Sequence, residues 1–273
     1  MSAYDIVSAG LSAWKGGIGS FVRDLDRRSI RYLAFSQVSS LEFCRYRYFL
    51  EYFKKIRPRP KPDYFVKGNI FHRTVARFYR GQARKRPVSL DVLHRSVDRH
   101  RRGDGHELKN AVTLSVQNAH VGWEIVGVEK AFVLSLGKDL PPCLGVIDLI
   151  LRQGSQYAVV DHKTGKNFNA PDALQITLYR ELVRQKHEAE CCTAFFDEYR
   201  WVNNLTRIRK PAFQRTEVSD SPSAWDDAKD RITKCHREMM SIEQRGDADG
   251  GGPCYMCPYQ NQCPKASRGY SRY

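Results

Sequence analysis

The sequence lacks an apolar stretch of membrane-spanning length, an internal repeat and a Walker-type Gly-x-x-x-x-Gly-Lys-Ser/Thr motif. The first absence argues against a membrane-embedded protein, and the last argues against a built-in nucleotide-driven motor. A flavin or nicotinamide motif is also missing, which disfavours a redox protein built on the cysteines. The N-terminal residues mix charged side chains with short apolar pieces, unlike a secretory signal. We therefore expect a soluble, cytoplasmic protein.

The charge of the chain is strongly one-sided. Its 273 residues carry 45 basic and 30 acidic side chains, a formal net charge of +15, and the 41% hydrophobic content is typical of a globular protein. Between Arg45 and Lys109 the basic residues include Lys54, Lys55, Arg57, Arg59, Lys61, Arg84, Lys85, Arg86, Arg101 and Arg102. Aromatic residues are interleaved over 45–64, a composition suited to phosphates and stacked bases. Nucleic acid is the favoured partner, with simple solubility or an acidic protein partner as the alternatives.

The hydrophobic periodicity changes from helical to strand-like near Trp123. The patterns predict helices over 1–30, 36–53 (serine-capped, carrying Cys44), 68–79, 89–101, 106–120, 171–187 (started by Pro171 and Asp172) and 222–244, with a break at residues 103–105. They predict strands over 123–136, 143–152, 156–162, 190–201 and 205–217, of which the first three form a meander. This order favours an α/β fold with a central mixed β-sheet flanked by helices.

Three charged residues interrupt two apolar strands of the predicted sheet. Asp148 lies inside the run 145–150, and Asp161 and Lys163 end the run 159–165. The two-residue period of a strand directs the Asp161 and Lys163 side chains to the same face. Because buried charges need a partner or a cation, the pattern predicts a divalent-metal site with a lysine near the water that the metal activates. The alternative is a buried Asp–Lys ion pair at a sheet end.

The cysteines form one compact group in the sequence. The chain has eight cysteines, and in an intracellular protein this number favours metal or cluster chemistry over a disulfide framework. Cys254, Cys257 and Cys263 give a Cys-x2-Cys-x5-Cys spacing in a loop-like tail, and Cys44 lies near the other end. Four thiolates suit either structural zinc, whose ligands usually come as two close pairs, or an iron–sulfur cluster.

Several short motifs follow one another in a characteristic order. They are Gly68-x-x-x-His72, Gly145-Val146-Ile147-Asp148, Asp161-His162-Lys163-Thr164-Gly165 and Gln175-x-x-x-Tyr179. In order and spacing they resemble the RecB-like branch of the PD-(D/E)XK nuclease superfamily, which includes the Cas4 proteins and the AddB and Dna2 nuclease domains. Ser36-x-x-Ser39-x-x-x-x-Cys44 and the three-cysteine tail resemble the iron–sulfur members of that branch. The resemblance covers residues 36–264.

The resemblance implies a catalytic metal site. Asp148 and Asp161 would bind Mg²⁺ or Mn²⁺, with His72 and the main-chain carbonyl of His162 as further ligands. Lys163 would orient the attacking water or help to deprotonate it. Taken alone, His72 would be an ordinary helix histidine.

The resemblance also implies roles for three further residues. Gln175 and Tyr179, one helical turn apart, would steady the lysine or contact the DNA backbone, although taken alone they are ordinary helix residues. Glu129 matches a position where relatives often carry an acid, and we expect it at most to support the ligands from outside. The His162 side chain should point away from Asp161.

The resemblance also implies how the chain is organised. We expect a helical extension over 1–35, a restriction-endonuclease-like nuclease domain over 36–264 and a tail over 265–273. A [4Fe–4S] cluster bound by Cys44, Cys254, Cys257 and Cys263 would staple the N-terminal helix to the C-terminal tail.

The activity implied is that of a metal-dependent DNA nuclease. It would act as an exonuclease on single-stranded or end-bearing DNA, in DNA repair, recombination, replication or CRISPR adaptation. A helicase or a CRISPR-adaptation protein is the partner that such a chain would need for unwinding or integration. The alternative is a DNA-binding or adaptation-complex subunit with a nuclease-like fold, in which cleavage is secondary.

Overall fold

The fold is built on a five-stranded mixed sheet. The computed structural model describes residues 2–100, 105–168, 172–201 and 210–266. The helices of these residues are α1 (Ala3–Ala13), α2 (Ile18–Arg27), α3 (Phe35–Phe43), α4 (Arg45–Tyr48), α5 (Asp63–Ala83), α6 (Leu90–His100), α7 (His106–Gln117), α8 (Ala173–His187) and α9 (Ala224–Arg245). The strands are β1 (Glu124–Leu134), β2 (Cys143–Gln153), β3 (Gln156–Gly165), β4 (Cys192–Arg200) and β5 (Ala212–Glu217). The predicted α/β class with a mixed sheet flanked by helices is confirmed.

The strands lie in the sheet in the order in which they occur along the chain. β2 and β3 pair antiparallel through a tight connection in which Gly154 has a φ of +60°, a value that glycine adopts without strain. β3 and β4 pair parallel, and α8 provides the crossover that a parallel pair requires. The Asp172 side chain caps α8 by accepting a hydrogen bond from the amide of Leu174 (2.9 Å). β5 returns antiparallel to β4.

Two compact units divide the chain. The first combines the segment up to Asp63, Val133–Gly145 and the part from Trp225 onward, and the second combines Tyr64–Phe132 and Val146–Ala224. In the first unit α1 and α2 contribute Val7, Phe21 and Leu25 to an apolar core that also contains Val133 and Leu144. In the second unit the core contains residues of α5, α6 and α7 and the apolar centres of β2 and β3.

The predicted helix over 36–53 is divided in the structure. α3 ends at Phe43, Cys44 is extended (φ −169°, ψ 124°), and α4 continues into a π-helical turn at Phe49–Phe53. The predicted serine cap is also wrong, because the helix begins one residue earlier. Its first turn is instead closed by the Gln37 side chain, whose Oε1 accepts a hydrogen bond from the amide of Ala34 (2.9 Å).

Other boundaries differ less. α5 begins at Asp63 rather than near Gly68, and β5 begins at Ala212. Arg101, Arg102, the break at 103 and 104, Pro171, residues 205–209 of the last predicted strand and the end of the predicted tail from 267 lie outside the described residues. Among the described helices, none has the combined length and apolarity that a bilayer crossing would need.

A buried polar network joins β4 to β5. Asp197 is completely buried, and both of its carboxylate oxygens accept hydrogen bonds from Arg215, at 2.7 and 2.9 Å. The His120 ring lies 3.1 Å from the same carboxylate. Burial would raise the pKa of Asp197, but the hydrogen bonds from Arg215 and His120 outweigh it and lower the pKa to about 2. The network therefore favours the ionised carboxylate inside the fold.

We expect Asp197→Ala to lower the free energy of unfolding by about 3 kcal/mol, because it leaves buried donors without their acceptor. Urea denaturation would measure the loss, with Glu217→Ala on the neighbouring strand as a control that stays within roughly 0.5 kcal/mol of the wild type. The contribution of the ionised Asp197 carboxylate to the free energy of unfolding should be present above the ordinary aspartate pKa, about 3.9. It should be lost as the pH falls towards 2. An Asp197→Ala protein as stable as the control at pH 7 would contradict this account.

Candidate functional site

Three potential metal ligands converge from three elements of the second unit. His72 comes from α5, Glu129 from β1 and Asp148 from β2. The His72 Nδ1 atom lies 3.4 Å from Asp148 Oδ1 and 3.8 Å from Glu129 Oε1, and the three donor atoms lie within 4.8 Å of one another. A cation about 2.1 Å from each of three donors would hold those donors roughly 3–4 Å apart. The donor set therefore fits a divalent cation.

Glu129 lies closer to the other potential ligands than the sequence indicates. Our expectation placed it outside the ligands, whereas its carboxylate is one of the three converging donors. Its backbone has a φ of +50°, a left-handed conformation that is rare for a non-glycine residue within a strand. The sequence signal for Glu129 is an acid between Val128 and Lys130, and this pattern does not reveal the unusual backbone that positions it.

Asp161 and Lys163 form a close ion pair beside these donors. Asp161 is 2% exposed, and its Oδ2 lies 2.7 Å from Lys163 Nζ. The two side chains lie on one face of β3, as the strand period predicts. Asp161 itself is not among the three grouped donors. The ion pair considered as an alternative is thus present, and it adjoins the potential metal ligands instead of replacing them.

A short hydrogen-bonded chain extends from the lysine onto α8. Lys163 Nζ donates to Gln175 Oε1 (2.7 Å), and Gln175 Nε2 donates to the Tyr179 hydroxyl (2.7 Å). Gln175 and Tyr179 are one turn apart on α8 and face the same side. The ring of Phe132 packs edge-on against Tyr179, with centroids 5.7 Å apart. The ammonium group is therefore held between a carboxylate and an amide oxygen.

His162 links the two acidic strands through its main chain. Its amide donates to Asp148 Oδ2 (2.8 Å). The imidazole is buried among aromatic rings, stacked at 5.7 Å on Tyr79, and its Nδ1 lies 3.3 Å from the Tyr199 hydroxyl. The expected role of the His162 carbonyl as a metal ligand stays a prediction.

The charged groups of the site shift one another's pKa values. Burial opposes ionisation of Asp148, but the neighbouring imidazole of His72 outweighs it and lowers the pKa of the carboxyl group. Burial raises the pKa of Asp161, although the Lys163 ammonium opposes the rise. The pKa of His72 is raised to about 9, because the carboxylate of Asp148 overcomes the effect of burial. Without a metal ion, a proton on His72 therefore balances part of the negative charge of the neighbouring carboxylates. A metal ion would replace that proton when it binds.

The four cysteines of the predicted cluster line one small cavity in the first unit. All four are free thiols. Gly252 lies so close to Phe43 and Cys44 that any side chain at this position would overlap the Phe43 carbonyl oxygen. Among the described residues, no three of these sulfur atoms come within 4.8 Å of one another.

Comparison with known proteins identifies the family. A model of the PD-(D/E)XK nuclease superfamily matches residues 32–264, and the chain belongs to that superfamily. Its fold is similar to that of a candidate exonuclease from Eubacterium rectale, with 12% identity, a TM-score of 0.52 and coverage of 88% of this chain and 91% of that chain. The structure of SSO0001 matches at 13% identity and a TM-score of 0.34, over 72% of this chain and 86% of that chain. No curated protein matches the sequence.

We expect Glu129→Gln to weaken Mn²⁺ binding at least about tenfold, or roughly 1.4 kcal/mol, because it replaces a charged donor with a neutral one. Isothermal titration calorimetry would measure the dissociation constant. Glu124→Gln, an exposed change on the same strand, is the matched control and should bind as the wild type. If Glu129→Gln binds Mn²⁺ as tightly as the wild type while Asp161→Asn loses Mn²⁺ affinity, Asp161 and not Glu129 is the ligand, as first expected from the resemblance.

Proposed function

We propose that the protein is a Mg²⁺- or Mn²⁺-dependent deoxyribonuclease that hydrolyses phosphodiester bonds in single-stranded or end-bearing DNA. The observation that carries this proposal is the convergence of His72, Glu129 and Asp148 beside the Asp161–Lys163 pair. A binding module has no need of a lysine held next to potential metal ligands. Membership of a nuclease superfamily supports the same reading.

The cation would be held by His72, Glu129 and Asp148, with Asp161 and the His162 carbonyl alongside. When bound, it would lower the pKa of a coordinated water and stabilise negative charge on the phosphate. An imidazole among carboxylates suits Mn²⁺, whereas Mg²⁺ prefers oxygen ligands.

Lys163 would position the attacking water and stabilise the charge that develops on the phosphate. Its ammonium group already forms an ion pair with Asp161 and donates a hydrogen bond to Gln175, so its direction is set before substrate arrives. Tyr179 accepts from the Gln175 amide and thereby determines which end of that amide faces the lysine. Gln175 and Tyr179 therefore act on the reaction through the orientation of Lys163.

The preference for single-stranded or end-bearing DNA has two sources of support. The segment 45–64 is basic and exposes aromatic surface, with Phe53 at 37% and Tyr64 at 53% relative exposure. The fold is also similar to that of the candidate exonuclease from Eubacterium rectale. Because the sequence contains no motor motif, we assign unwinding to a helicase partner. We propose that the protein removes nucleotides from DNA ends in DNA repair, recombination, replication or CRISPR adaptation.

We expect the wild type to digest linear single-stranded DNA with Mg²⁺ or Mn²⁺ and to spare circular single strands. Lys163→Gln should reduce cleavage about 100-fold or more, because it removes a preorganised positive donor. It should leave the dissociation constants for Mn²⁺ and DNA nearly unchanged. Gel assays with labelled linear, circular and duplex DNA would measure cleavage, with Lys186→Gln on the exposed end of α8 as the control.

Two results would count against the proposal. Cleavage of circular single-stranded DNA would show that the enzyme needs no DNA end and is an endonuclease. Tight DNA binding by the wild type without cleavage, with either metal and on every substrate, would favour the DNA-binding or adaptation-complex alternative.

We further propose a [4Fe–4S] cluster on Cys44, Cys254, Cys257 and Cys263, as in the iron–sulfur members of the RecB-like branch. Zinc bound to four thiolates at 2.3 Å would hold the sulfur atoms about 3.8 Å apart, whereas no three of these four sulfur atoms lie within 4.8 Å of one another. A larger cluster suits the wider arrangement. The contact that only glycine permits at residue 252 brings the tail next to Cys44.

The cluster would have a structural role. Main-chain and side-chain hydrogen bonds already join the C-terminal segment to residues 46–59: Tyr46 to Asp249 (3.1 Å), Tyr259 to Ile56 (3.1 Å) and Arg59 to Gln262 (2.7 Å). A cluster bound by Cys44 and the three tail cysteines would reinforce this closure and tie the two ends of the proposed nuclease domain, 36–264, together.

Anaerobic purification should therefore yield a brown protein with broad visible absorption. We expect Cys44→Ser and Cys257→Ser each to lose this absorption and to lower the melting temperature by a similar amount, since each removes one of four ligands. Cys191→Ser, which changes an exposed cysteine, is the control. A colourless protein containing one zinc per chain would overturn the assignment.

A further inference from the structure

Four arginines form a stripe along the helix that carries His72. Arg73, Arg77 and Arg80 lie on α5, and Arg84 follows its last residue with its amide still bonded to the Arg80 carbonyl (3.2 Å). All four are exposed. At 100° per residue they fall within about 60° of one another around the helix axis, and they span about 16 Å along it. We call these four residues the arginine stripe.

The arginine stripe forms no close ion pair in the described parts of the chain. None of its guanidinium groups forms an ion pair with a carboxylate within the described parts of the chain. Other arginines do so, for example Arg152 with Glu124 (2.7 Å) and Arg231 with Glu42 (2.6 Å). Like charges three and four residues apart destabilise a helix. Among the described residues, no ion pair within 4.0 Å offsets the repulsion between these four arginines.

The dipole of α5 accounts for only part of this pattern. Basic residues are favourable in the last turn of a helix, which can explain Arg84 and Arg80. Arg73 and Arg77 lie further from the C-terminus, where this effect has faded. They need another explanation.

The position of the stripe relates it to the candidate metal ligands. Arg73 and Arg80 lie about 80–100° from His72 around the axis of α5. Arg73 also follows His72 directly in the sequence of α5. The stripe therefore begins beside the donors and leads away from them along the helix surface.

We infer that the arginine stripe is a binding track for the phosphodiester backbone of the DNA substrate. This inference rests on the proposed function, since it names where that DNA is held. Exposed guanidinium groups bind phosphate oxygens well and release condensed counterions when they do so. At the rise of about 3.4 Å per nucleotide that one strand has in a DNA duplex, 16 Å of helix faces about five nucleotides.

The test is the salt dependence of DNA binding. Fluorescence anisotropy with a labelled single-stranded oligonucleotide, in EDTA to prevent cleavage, gives the dissociation constant over a KCl series. We expect Arg73→Gln/Arg77→Gln to reduce the slope of log affinity against log salt by about 1.4, because each lost contact with a single strand contributes about 0.7. The matched control is Lys15→Gln/Arg23→Gln, which removes two exposed charges from the first unit and should leave the slope unchanged.

Further variants keep the inference open to refutation. Arg73→Lys/Arg77→Lys retains both charges and should keep a slope close to that of the wild type. Thermal melting of the glutamine variant should show stability equal to or above the wild type, because like-charge repulsion is removed. Equal slopes for the glutamine variant, the control and the wild type would overturn the track.

The two hypotheses fail in different ways. A wild type that never cuts, while its binding slope still depends on Arg73 and Arg77, would reject the nuclease and keep the DNA track. A wild type that cuts, while the slopes of all variants coincide, would reject the track and keep the nuclease.

Discussion

One hydrogen bond between strands organises the candidate site. The amide of His162 on β3 donates to the carboxylate of Asp148 on β2, at 2.8 Å. It occupies one oxygen of Asp148 and leaves the other directed at His72. Because the residues of a strand alternate in direction, the same residue that holds Asp148 places its neighbours Asp161 and Lys163 together on the opposite side from its own ring. The positions of Asp148, Asp161 and Lys163 are thus set by the register between β2 and β3.

The sheet carries buried charge on both faces near this point. One face presents Asp161 and Lys163, and the other presents Asp197 with Arg215 and His120. His162 and Asp197 are register partners on β3 and β4, so the second network lies directly beside the ring of His162. Buried charges of this kind are costly without partners. The ion pairs of Asp161 and Asp197 help to hold the central strands in register. Neither pair neutralises the candidate metal ligands.

The parts that could be predicted from the sequence follow short-range rules. The order of strands, the common face of Asp161 and Lys163 and the turn that relates Gln175 to Tyr179 all follow from helix and strand periods. What could not be predicted depends on distant contacts. Cys44 interrupts a helical pattern where the amide of Tyr46 bonds to the Asp249 carbonyl, about two hundred residues away. Glu129 reaches the donors through a backbone conformation that its neighbours in sequence do not indicate.

The left-handed backbone of Glu129 has a wider consequence. A non-glycine residue in this conformation holds roughly 1 kcal/mol or more of strain, and glycine would adopt it freely. Judged by strand stability alone, glycine is the better residue at this position. The backbone of β1 favours glycine at this position, whereas the donor group needs a carboxylate there. A sequence redesigned for maximal thermal stability would therefore tend to remove this carboxylate first.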